Sequence, residues 1–192
     1  MSLTAMAQSV TKDSEPDGWS PEPGYFGELD PRGPTRLVAS VPIDQLAGIH
    51  QTLVKSLKAP LSILYRQKVD RQNPRPQAAP PRDFVAVDLD SERVLAALDR
   101  NAPIVYSDAR AEIWIRGGLN EQLVLDTDGI VFCYPDDPSF RDALDAAGVP
   151  ERSIQTMADR DYVKHWYHAE SDAFEAALFR DLGLQEVPHR KG

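Results

Sequence analysis

Residues 112–148, EIWIRGGLNEQLVLDTDGIVFCYPDDPSFRDALDAAG, constrain the fold more than any other stretch. Ile113, Trp114 and Ile115, then Leu123, Val124 and Leu125, then Ile130, Val131, Phe132 and Tyr134 form three short runs of side chains that suit a pleated, half-buried surface. Gly117-Gly118 separates the first two runs and is expected to supply positive φ. Asp128-Gly129 separates the next two and is among the strongest short hairpin signals. The stretch therefore predicts a three-stranded antiparallel meander. Leu123 and Leu125 point to one face and Val124 to the other, so the middle of the sheet is expected to be covered on both sides. Asp137 and Pro138 then read as the cap and first residue of a helix that carries Phe140 and Leu144 on one face and stops at Gly148.

The rest of the chain divides around that unit. Residues 1–35 contain five prolines among small and charged residues and read as a disordered acidic tail, because so little apolar area cannot offset ordering. Trp19, Tyr25 and Phe26 lie within it and read as aromatic anchors for a protein partner. A single domain is expected over residues 36–184, with a proline-rich loop at 71–83 and a C-terminal tail at 185–192. Within it, strands are expected at 37–41, 61–69, 84–88 and 103–106. Leu46, Ile49, His50, Leu53 and Leu57 share one face of a helix that Pro42 and Asp44 open and that runs to about residue 58, and Asp90 or Ser91 opens another. The fold class this pattern predicts is α+β, with helices packed on a mixed or antiparallel sheet.

Charge narrows the range of partners. The chain of 192 residues carries a net charge of −9, which argues against a general nucleic-acid binder and against docking on anionic lipid. The charge is unevenly spread, with eight basic against three acidic residues over 36–83 and five against thirteen over 84–150. This pattern reads as complementarity within the molecule. Cys133 is the single cysteine and reads as a core residue. The first residues lack a basic and apolar leader pattern, so a cytoplasmic protein is expected. The excess of arginine over lysine suits a GC-rich bacterial genome.

Three clusters invite a chemical reading. Asp88-Leu89-Asp90 follows an apolar strand and resembles the opening motif of haloacid-dehalogenase-like phosphotransferases, and residues 130–137, IVFCYPDD, resemble that family's metal-binding acidic pair. The resemblance implies Asp88 as nucleophile and Asp90 as general acid/base, both near magnesium. The chain departs from the motif at Ser91 and Glu92. Asp126, Asp128, Asp136 and Asp137 form an acid cluster, but an extended strand between the two pairs separates them by roughly 17 Å, so they read as turn and capping residues. On a continuous helix over 159–182, Asp161, His165, His168 and Asp172 share a face that could hold a divalent ion. Glu170 would then fall on the apolar side and need an arginine. The same residues also fit a strand over 162–168 followed by a helix opening at Asp172.

None of these clusters completes a catalytic, metal or nucleotide motif, and no cofactor is expected. The resulting expectation is a non-catalytic intracellular protein-binding module, an adaptor or a small acidic inhibitor of the immunity type. The alternative is a divalent-metal-dependent hydrolase or phosphotransferase that uses Asp88 and Asp90 or a His165/His168 metal site.

Overall fold

The computed structural model describes residues 2–29, 33, 35–73 and 80–188. The strands in chain order are β1 (Ala7–Ser9), β2 (Gly24–Leu29), β3 (Thr35–Ser40), β4 (Leu61–Gln67), β5 (Arg82–Leu89), β6 (Ala111–Arg116), β7 (Gln122–Leu125), β8 (Val131–Tyr134), β9 (Val163–His165) and β10 (Gln185–Val187). The helices are α1 (Ile43–Ser56), α2 (Ser91–Arg100), α3 (Ala102–Tyr106), α4 (Pro138–Ala146) and α5 (Asp172–Leu182). Eight of the strands form one sheet in the order β10-β5-β4-β6-β7-β8-β3-β2. Every neighbouring pair in it is antiparallel. β1 and β9 form a separate two-stranded ribbon. The fold is α+β, and among the described residues no helix is long and apolar enough to cross a membrane.

Alternation within the strands sorts side chains to two faces. β4 shows it most clearly, with Leu61, Ile63, Tyr65 and Gln67 buried and the residues between them half-buried. The buried set faces the helices and joins Leu46, Leu53, Val94, Leu98, Ile104, Phe140, Leu144 and Leu178 in one core. Burying a side chain such as Leu53 completely contributes about 2 kcal/mol. Among the described residues the helices lie on one face, yet the middle of the sheet is covered on both sides as expected, with Val38 and Val124 of the other face 2% and 5% exposed. The core cluster takes alternate residues of the strands, except in β5, where the extra residue after Ala86 shifts the next core position to Leu89.

Local chemistry explains most element ends. Asp90 caps α2 by accepting from the Arg93 amide at 2.7 Å, and Asp137 caps α4 by accepting from Ser139 at 2.8 Å. Asp126 Oδ1 accepts from the amides of Asp128 and Ile130, and Gly129 has φ +81°, so the β7–β8 turn closes as its sequence suggests. The β6–β7 turn works differently from the expectation. Neither Gly117 nor Gly118 has positive φ, and Asn120 takes the left-handed conformation at φ 72°. Gly117 is small for another reason: a Cβ there would sit 3.1 Å from the Lys58 carbonyl oxygen.

Three regions differ from the sequence reading. Residues 7–9 and 24–29, both placed in the disordered tail, form the strands β1 along β9 and β2 along β3. Tyr25 is 1% exposed and its hydroxyl donates to Asp145 at 2.7 Å, while Pro150 and Arg152 bond its backbone on the outer edge. Met6, Ala7, Val10 and Tyr25 are all buried and supply apolar area towards the cost of ordering a proline-rich segment. Residues 103–106, expected as a strand, lie within α3; a short apolar run buried all round has no period that separates helix from strand. Residues 185–187, expected as tail, pair with β5. Residues 74–79 of the proline-rich loop and 189–192 lie outside the described residues.

Tyr25 offers a direct check. Burial and the Asp145 carboxylate push its phenol up to about 12. Replacing Tyr25 with Phe deletes one hydrogen bond and is expected to cost about 1 kcal/mol in chemical denaturation. A tail that does not order would show no change.

Candidate protein-binding surface

The face of the sheet away from the helices carries a single row of apolar and aromatic side chains. Val85 lies opposite Leu64, Leu64 opposite Trp114, Trp114 opposite Val124 and Val124 opposite Phe132. Phe132 then lies opposite Val38, and Val38 opposite Phe26. Seven strands thus contribute one residue each, all in register. Val38 and Val124 are buried and the other five are half-buried. Directly opposed aromatic and branched side chains are the contacts that stabilise a sheet, so the row also fixes the register of strands far apart in sequence.

Charged residues rim the row and fold onto it. The Arg36 guanidinium lies 4.4 Å from the Phe132 ring centre and 5.7 Å from that of Tyr134, and it donates to Glu28 and to the Tyr134 hydroxyl. Arg66 lies 5.6 Å from the Trp114 ring centre and holds Asp83 through two bonds of 2.9 and 3.0 Å. Lys68 pairs with Glu112 at 2.6 Å, and Glu112 also accepts from the Trp114 indole at 3.2 Å. A flat apolar centre with aromatic anchors inside a polar rim is the anatomy of a protein interface.

The structure scatters the three aromatics read as anchors. Phe26 stands at one end of the row, Tyr25 faces the core, and Trp19 packs under Arg160 at 4.7 Å. Trp19 and His168 line one shallow groove of about 540 Å³ together with Trp166. The row itself escapes sequence reasoning because its members come from seven strands spread over residues 26–132. Alternation in β4 and β6 is the only local signal.

The His165–Asp172 cluster takes the strand-then-helix arrangement and does not gather on one face. His165 lies in β9 and donates from Nε2 to Asp128 at 2.7 Å. Glu170 is exposed in a 3-10 turn, so the arginine expected for it is not needed. Asp172 instead serves Arg110, a residue outside every cluster that the sequence suggests. Arg110 is 1% exposed and uses its whole guanidinium. Nε and Nη2 donate to Asp108 at 2.9 and 2.8 Å, Nη2 to the His168 carbonyl at 2.7 Å, and Nη1 to Asp172 and Glu175 at 2.7 and 3.2 Å. Tyr65 and Gln67 donate to the other Glu175 oxygen, and Arg71 also reaches Asp172. Although burial pushes the Asp172 carboxyl up, Arg110 and Arg71 hold it below the usual range. The network clamps the segment after β9 to the sheet.

The remaining candidates occupy structural positions. Asp88 has φ 57° where β5 carries one extra residue against β4, with Leu61 opposite Leu89 and Ile63 opposite Ala86, and aspartate tolerates that left-handed conformation. Three strands separate β5 from β8, roughly 19 Å across the sheet, so Asp88 and Asp136 are not brought together. Asp136 holds Arg141 through two bonds of 2.7 Å. His50 is fully buried, its Nδ1 3.0 Å from the Tyr106 hydroxyl, and burial pushes it down to about 4. Burial pushes the Cys133 thiol up. Among the described residues no three His, Cys, Asp or Glu side chains gather closely enough to hold a metal ion. No protein-family model, no curated protein and no solved structure matches the chain.

Proposed function

We propose that the chain is a non-catalytic protein-binding module whose partner lies flat on the helix-free face of the sheet. The observation that carries this reading is the in-register row from Val85 to Phe26. Beyond their part in the cross-strand contacts, Trp114 and Phe132 place two large, half-buried aromatic rings on the face away from the helices. As interface anchors they supply large contact area at low conformational cost. The adaptor form of the reading is favoured over the acidic inhibitor. Arg36, Arg66, Lys68 and Arg116 offset Glu28, Asp83 and Glu112 on this face, so the chain's negative charge lies elsewhere.

Trp114→Glu is expected to remove bound partners in quantitative affinity purification, while Glu92→Arg on the exposed helix side leaves them. Circular dichroism and the melting temperature verify that both variants fold. An unchanged partner list for Trp114→Glu sinks the reading.

A further inference from the structure

We infer that the occupant of the helix-free face is a second copy of this chain, packed sheet against sheet around Trp114. The inference rests on the reading of that face as a protein-binding surface and names its partner.

Three observations support it. The first is size: seven strands and the flanking residues on either side of the row make a patch of roughly 35 by 20 Å, about 700 Å². A standard interface takes about 800 Å² from each partner, so a flat sheet meeting another flat sheet is large enough. The second is charge. Two copies of a chain with net charge −9 repel. They can approach through a face on which bases offset acids, and here Arg36, Arg66, Lys68 and Arg116 offset Glu28, Asp83 and Glu112.

The third is self-complementarity. Glu112 and Arg116 flank Trp114 by two positions on β6 and rise from the same face as its ring. A two-fold axis lying in the interface along the row and passing over Trp114 sets Glu112 of each copy opposite Arg116 of the other. The same axis turned along the strands would oppose like charges, so the pair selects one of the two arrangements. Arg116 is exposed and, among the described residues, has only the Asn120 side-chain oxygen as a partner. An arginine without a carboxylate in so acidic a chain is poised to take one from outside.

Sedimentation equilibrium of the full chain from about 1 to 100 µM tests the inference. The expected result is a species of twice the 21.3 kDa chain mass. Arg116→Glu and Glu112→Arg are each expected to weaken association about tenfold, and the double swap to restore it to within about threefold. Trp114→Glu is expected to weaken it about a hundredfold. Because Arg116 is exposed, its variant reports on association without disturbing the fold. A monomer across the range overturns the inference, as does a dimer that neither the charge swap nor Trp114→Glu alters. If the chain is monomeric and a photo-reactive side chain at Leu64 captures a different protein, the second copy is excluded and the face remains a binding surface. If it is monomeric and captures nothing, both readings fail.

Discussion

Replacing Arg110 with Met is expected to lower stability by about 3–5 kcal/mol, because it leaves the buried Asp108 and Glu175 carboxylates without their cation and Asp172 with Arg71 alone. For a chain of this length that corresponds to a fall of about 10 °C in melting temperature. The cost comes from what remains. Asp108 is 0% exposed at its side chain and cannot turn to water, so the variant must protonate it or open the segment after β9. The loss should be local before it is global. Hydrogen exchange should accelerate first at residues 166–171, where the His168 amide donates to Asp108 and its carbonyl accepts from Arg110. Glu175→Gln is expected to be milder, since its oxygen still accepts from Tyr65 and Gln67. Equal losses in the two variants would show that Arg110 is not the centre of the network.

Asp126→Asn is expected to stabilise the protein at alkaline pH. Burial, and then the neighbouring Asp128 carboxylate, push Asp126 up to about 7, despite the amides of Ile130 and Asp128 that bond it. The folded protein therefore binds this proton more tightly than the unfolded chain does. The associated stability is fully present below the ordinary carboxylate value near 4 and is lost as pH rises through about 7. The amide oxygen of Asn keeps the two turn hydrogen bonds and carries no charge to bury. Allowing for the solvent that reaches the turn, the variant should gain on the order of 2 kcal/mol at pH 8 and show almost no gain at pH 4. Urea denaturation at several pH values measures it. A gain that does not depend on pH would mean that the Asp126 charge carries no penalty.

Both effects bear on how far the sequence reveals the fold. The unit at residues 112–148 is legible because turn chemistry and alternation act within a few residues: Asp128-Gly129 turns, Asp137 caps, and Phe140 and Leu144 face the core. α1 is legible for the same reason. β2 is not, because its order comes from pairing with β3 and from seating Tyr25 in the core, and composition alone points to disorder. The candidate surface is less legible still. Leu64, Trp114 and Phe132 each read as ordinary strand residues, and only the cross-strand register aligns them. The histidine segment misled in a different way. A helical wheel gathers His165, His168 and Asp172 only if the segment is one helix, whereas Arg110, more than fifty residues earlier, holds it as strand, turn and helix.

The claim that the helix-free face is the working surface is tested most directly by site-specific photo-cross-linking in the cells from which the protein comes. A photo-reactive side chain is placed at Leu64 in one preparation and at Glu92 on the helix side in another. The account predicts a discrete covalent adduct from position 64, lost when Phe132 is changed to Glu, and no adduct from position 92. Adducts from position 92 alone would contradict it.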